Sequence, residues 1–158
     1  MNSITATLFG FVFSVVVSLN SYNATVLSPR MINDCNANEE SEIKEAVLGY
    51  ISNFFLNDYE AMEIHLHDRL SKRGVNADGS LSAEYPKEAL KELMTKKPVL
   101  PIEHQKNEII EVNIHTNVAT VILETGYPNT RWKEYIHLAK IDNKWIVMDV
   151  FWDFETKN

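Results

Sequence analysis

Apolar side chains recur at helical spacing early in the chain. Ile43, Val47, Tyr50, Ile51, Phe54 and Phe55 form one stripe, which predicts an amphipathic helix with that face buried. Asn38 is placed to cap it, and Glu39, Glu40 and Glu42 suit the positive end of its dipole. Asn57-Asp58 stops the helix. Asp58 caps a short second one running to about Leu66, with Tyr59, Met62 and Leu66 inward. Asp78-Gly79 is a hairpin signal joining Leu70–Val75 to Ser80–Glu84. Pro86 opens a third helix with Ala89, Leu90, Leu93 and Met94 on its apolar face, and Lys96-Lys97-Pro98 ends it.

The period then changes from helical to alternating. Lys106–Ile114 places Ile110, Val112 and Ile114 on one side, and Val118–Thr125 returns after the turn at 115–117. Arg131–Ile141 and Lys144–Phe154 flank a two-residue turn, Asp142-Asn143. Four strands linked in this way predict an antiparallel meander, and helices followed by strands make the class α+β. With Ile141 opposite Lys144, uninterrupted pairing sets Ile136 against Asp149 and His137 against Met148. Trp132, Glu134, Ile136, Leu138, Trp145, Val147 and Asp149 then share one face. Tyr135, His137, Met148, Val150 and Trp152 share the other. Neither face is polar throughout. One is therefore expected on the helices and the other on a second copy of the chain, a homodimer through the sheet.

Before the first helix the pattern is different. Residues 4–17 are apolar except for Thr5, Thr7 and Ser14. That run has the length of a signal-peptide core and falls short of the roughly 20 residues that span a bilayer. No Lys or Arg precedes it. Residues 1–24 are read as an export signal, with an uncleaved anchor as the alternative, and residues 25–38 as a linker before a domain over 39–158. Asn23-Ala24-Thr25 fits the N-glycosylation pattern at the expected cleavage site.

Composition narrows the classes. The 158 residues suit one domain, and the formal net charge of −7 with scattered basic residues argues against nucleic acid. A lone cysteine, Cys35, allows neither an internal disulfide nor a cysteine zinc site. His65 and His67 point to different sides of a helix and have no third ligand nearby, so no metal is expected. No phosphate-binding glycine loop, nucleophile elbow or HExxH motif is present. No cofactor is expected.

Residues 42–58, the stretch LHDRLSKRG at 66–74 and above all YIHLAKIDNKWIVMDVFW at 135–152 resemble the putative lumazine-binding branch of the nuclear transport factor 2-like (SnoaL-like) superfamily. The branch typically carries a Tyr-x-Leu-His/Ser-Leu strand, a Gly-x-Trp turn and an Asn-Val-x-Trp end. Here Asn143 replaces the turn glycine, Asp149 stands where Asn is common, and His67-Asp68-Arg69 replaces His-Pro-Asp. The resemblance implies a cone of three N-terminal helices packed on a curved antiparallel sheet, with a pocket between them. Tyr50, Phe54, Trp132, Tyr135 and Trp152 are candidate walls for a small apolar or heterocyclic ligand, and His67, His137 and Asp149 candidate polar anchors. The superfamily also contains cyclases, dehydratases and isomerases, cofactor-free enzymes that use a buried acid. Asp149 is the candidate for that role, with His67 or Tyr50 as its partner. A dimeric structural or protein-interaction module is the third alternative.

Overall fold

The computed structural model describes residues 29–76 and 78–154, and side chains from residue 37 onward. The expected export signal, the Asn23 sequon and residues 25–28 of the expected linker lie outside the described residues. Helix α1 spans Pro29–Leu56, α2 Tyr59–Glu63 and α3 Lys87–Lys96, with a short 3-10 turn at Ile102–His104. Strands β1 (Leu66–Val75), β2 (Glu108–His115), β3 (Val118–Tyr127), β4 (Thr130–Ile141) and β5 (Lys144–Phe154) form one curved sheet in the order β1-β5-β4-β3-β2. The class is α+β.

The apolar stripe of α1 packs as its spacing predicts. Ile43, Val47, Tyr50, Ile51 and Phe55 are fully buried against Val121, Leu123, Ile136, Leu138 and Val147 of the sheet. Helix α1 ends on Asn57, whose φ of 61° is the left-handed stop that asparagine tolerates. Asp58 caps α2, its Oδ1 accepting from the Ala61 amide at 3.0 Å. Leu90 and Met94 bury the inner face of α3. The β4–β5 turn has positive φ at both Asp142 and Asn143, which suits the twist of a two-residue hairpin.

The structure departs from the sequence pattern in four places. Helix α1 begins at Pro29, within the expected linker, so Asn38 lies inside the helix and donates to Glu42 at 2.7 Å instead of capping. Pro29 suits a first helical position because its missing N–H has no partner there in any case. Residues 66–75 are not half of a separate hairpin. They form β1, which joins the main sheet parallel to β5, and the expected hairpin survives as the Val75–Leu81 bridge and the bonds from the Ser82 amide to the Gly74 carbonyl and from the Tyr85 amide to the Lys72 carbonyl. In β2, pairing slips between Ile109 and Glu111, so Ile110 is 51% exposed and Ile109 packs on the core with Val112 and Ile114. The fourth departure decides the site. Pairing of β4 with β5 slips at Met148: Leu138 opposes Val147, but His137 then opposes Asp149 and Ile136 opposes Val150. Beyond that bulge every β5 side chain changes face.

Candidate functional site

The bulge inverts the expected partition of the hairpin. Val150 and Trp152 now share the inner face with Trp132, Glu134, Ile136 and Leu138, and Asp149 moves to the outer face with His137. Asp149 is therefore not a buried cavity acid. It pairs with Arg73 at 3.0 Å and lies 3.4 Å from His137 Nδ1, while Arg73 also contacts Ser71 Oγ. Asp149 and His137 are neighbours, not residues of opposite faces. Both ion-pair partners are partly in solvent, so the interaction is screened. We predict that Asp149→Asn changes unfolding free energy by less than about 1 kcal/mol in a urea titration; a larger loss would mean that this cluster is structural.

The buried acid is Glu134. It is 1% exposed at the centre of β4, on the inner-face parity of Trp132 and Ile136. Its Oε1 accepts from Lys72 Nζ at 2.6 Å and from Trp132 Nε1 at 3.0 Å, and its Oε2 accepts from the Tyr50 hydroxyl at 3.0 Å. Lys72 Nζ also donates to Tyr50 Oη at 2.5 Å. Three elements thus meet at one network: α1 supplies Tyr50, β1 Lys72 and β4 Glu134. Burial, followed by the neighbouring Glu134 charge, drives the Tyr50 hydroxyl well above its ordinary range and keeps it a donor. Burial also pulls the Lys72 ammonium below the usual lysine range, against the opposing pull of Glu134.

This network floors a cavity of about 430 Å³, within the roughly 300–1,000 Å³ typical of small-molecule sites. Phe54 of α1, Leu90 and Leu93 of α3, Tyr127, Trp132, Trp152 and Phe154 of the sheet, and Tyr85 and Pro98 of the loops line it, with Lys72, Glu134 and Lys97 as its charged groups. The rings support one another. Phe55 lies 5.2 Å from Tyr127 and 6.1 Å from Trp132, and Trp132 lies 6.0 Å from Phe154, mostly tilted or edge-on. Tyr85 stacks obliquely on Trp152 at 5.9 Å. Trp152 reaches across the sheet because its β1 neighbour is Gly74: a Cβ there would overlap the Trp152 carbonyl oxygen and indole. Lys72 Nζ sits 5.1 Å from the Trp152 ring, a cation–π contact that positions the indole over the floor.

Of the residues expected at a pocket, Phe54, Trp132 and Trp152 line this cavity, and Tyr50 lies directly behind it, bonded to the floor. Tyr135, His137 and Asp149 face away on the outer side, with Tyr135 46% exposed. His67 is not among the lining residues and accepts from the Arg69 amide at 3.0 Å. The sequence reading missed Lys72, Glu134 and Lys97 as cavity groups. A signal for the first two exists: Leu70, Lys72 and Gly74 alternate inward, and Glu134 lies between Trp132 and Ile136.

The pattern over the whole domain settles the family. The model of the putative lumazine-binding family matches residues 38–153, nearly all of the described chain. The protein belongs to that family. Solved structures give the same fold. A nuclear transport factor 2-like protein of unknown function from Shewanella baltica OS155 is 20% identical, with a TM-score of 0.67 over 77% of this chain and 97% of that one. Another from Silicibacter pomeroyi DSS-3 is 13% identical, with a TM-score of 0.68 over 76% and 98% of the two chains. A ketosteroid isomerase-like protein from Erwinia carotovora atroseptica SCRI1043 is 16% identical, with a TM-score of 0.55 over 74% and 96%. No curated protein matches the chain. The putative lumazine-binding domain here is thus a nuclear transport factor 2-like fold whose inner sheet face and helices enclose an aromatic cavity over a buried ion pair.

Proposed function

We propose that the protein is a small-molecule binding domain whose ligand is a flat apolar or heterocyclic molecule held in the cavity over Glu134. One observation carries the reading. An otherwise aromatic and aliphatic chamber opens onto a fixed polar floor, which is the composition that orients a flat ligand while burying its faces. The floor is preorganised. Glu134 already accepts three hydrogen bonds, roughly three-quarters of its capacity, and Lys72 spends two of its three donors inside the protein. The remaining Lys72 donor is available to a ligand acceptor. A carboxylate engaged in this way favours holding a ligand over acid–base chemistry on it. The family's description supports a pteridine such as lumazine as the first ligand to try, since Phe54, Trp132 and Trp152 all line the chamber and offer ring faces to a flat bicycle.

A thermal-shift screen of pteridines, flavins and steroids tests the proposal. Ligand at about 100 times its Kd adds about 2.7 kcal/mol to stability, which for a domain of this size raises Tm by several degrees. The expected result is such a rise with at least one class. No shift with any class contradicts the reading.

A further inference from the structure

The charges lining the cavity do not cancel. Lys72 and Glu134 form a closed pair, and Lys97 is left over. Among the described residues no carboxylate pairs with Lys97. Its ammonium lies 4.6 Å from the Phe54 ring centre and 5.8 Å from that of Phe55, and donates only a long bond of 3.4 Å to the Phe55 carbonyl. The backbone of Lys97 is held at two points. Its amide donates to the Leu93 carbonyl at 3.2 Å, and its own carbonyl accepts from Asn57 Nδ2 at 3.0 Å. The side chain is therefore directed over the aromatic wall by a fixed main chain and is not a freely solvated surface lysine. The cavity is thus a cationic spot in a protein of formal net charge −7, which otherwise repels anions.

We propose that the cavity's occupant is a flat apolar molecule carrying one negative charge, with its anionic end held by Lys97 Nζ at the α3 end of the chamber. The proposal rests on the reading of the cavity as a ligand site and specifies the ligand's charge. One anion neutralises the surplus, and the neighbouring rings partly shield the contact from water. Burial lowers the Lys97 pKa to about 8. An anion reverses that cost, so binding stabilises the charged form and takes up protons near that pH.

A matched pair of probes tests this: 2-naphthoate and 2-naphthamide, two flat bicycles of nearly equal size that differ in charge, titrated by calorimetry at pH 7. The expected result is about tenfold tighter binding of the naphthoate, the scale of one charge-assisted hydrogen bond. Lys97→Arg keeps the preference and Lys97→Gln abolishes it, with both variants folded by circular dichroism. Raising the pH from 7 to 9.5 erodes the naphthoate advantage as the free Lys97 loses its proton. Lys72, Glu134, Tyr85 and Tyr127 line the same cavity, and Lys97→Gln titrated over the same pH range reports any pH effect that does not come from Lys97. Equal affinity for the two probes, or a naphthoate preference that survives Lys97→Gln, overturns the proposal and leaves the ligand-binding reading standing. Failure of both probes to bind overturns the proposal and counts against the binding reading as well.

Discussion

Replacing Glu134 with alanine destabilises the protein by about 3–5 kcal/mol, the cost of leaving a buried charge without its partner. Lys72 is 7% exposed and has no other carboxylate in contact among the described residues. The substitution also removes the acceptor of the Trp132 indole and of the Tyr50 hydroxyl, both held inside the same packed layer. Removing both members of the pair has a different result. Lys72→Met combined with Glu134→Leu keeps the volume and leaves no charge behind. It is expected to cost less than Glu134→Ala because no unpaired ion remains, yet to stay about 1–3 kcal/mol below the parent, since the buried Tyr50 hydroxyl and the Trp132 indole still lose their acceptor. Urea unfolding of the single and double variants measures both numbers. A single variant as stable as the parent would show that Lys72 escapes to water and that the floor is not rigid. The double variant also isolates function from folding: it preserves the chamber and removes the polar floor.

Gly74→Ala is the second large effect, at about 3 kcal/mol, near the upper end for overpacking. The added methyl collides with the Trp152 backbone as well as its ring, so rotating the indole does not relieve it. Either β1 separates from β5 or Trp152 leaves the cavity wall. Both outcomes uncover Lys72, which lies against that indole. The change is expected as a lower urea midpoint and a red-shifted tryptophan emission. An unchanged midpoint would mean that β1 is free to shift along its parallel edge.

Much of the fold is legible in the sequence because its signals are local. The stripe from Ile43 to Phe55, the Asp58 cap, the apolar face of α3 and the Asp142-Asn143 turn each depend on a few adjacent residues, and each forms as their spacing predicts. The parallel pairing of β1 with β5 is not local. It joins segments some 80 residues apart, with no turn chemistry to announce it. The bulge at Met148 has a sequence trace that uniform alternation conceals. Inward apolar residues fall at Trp145 and Val147 and then at Val150, Trp152 and Phe154, a step of three where two is the rule.

That single step decides which side chains reach the cavity. Counted without it, Asp149 joins the inner face and Trp152 leaves it. With it, Trp152 becomes cavity wall, Asp149 becomes an outer-face partner of Arg73, and Glu134 remains as the inner acid. Lys97 carries no pattern signal. Two lysines before a proline read as a helix stop, which they are, and only the folded chain shows the second of them leaning over Phe54.

The three tryptophans report whether ligand enters on the inner face over Glu134. Trp132 and Trp152 line the cavity, and Trp145 lies outside it. Their indole N–H signals are resolvable in a nitrogen-15 NMR spectrum titrated with 2-naphthoate. The Trp132 and Trp152 signals are expected to shift with one saturation curve while that of Trp145 stays in place. A titration that moves Trp145 and leaves Trp132 and Trp152 unchanged would contradict it.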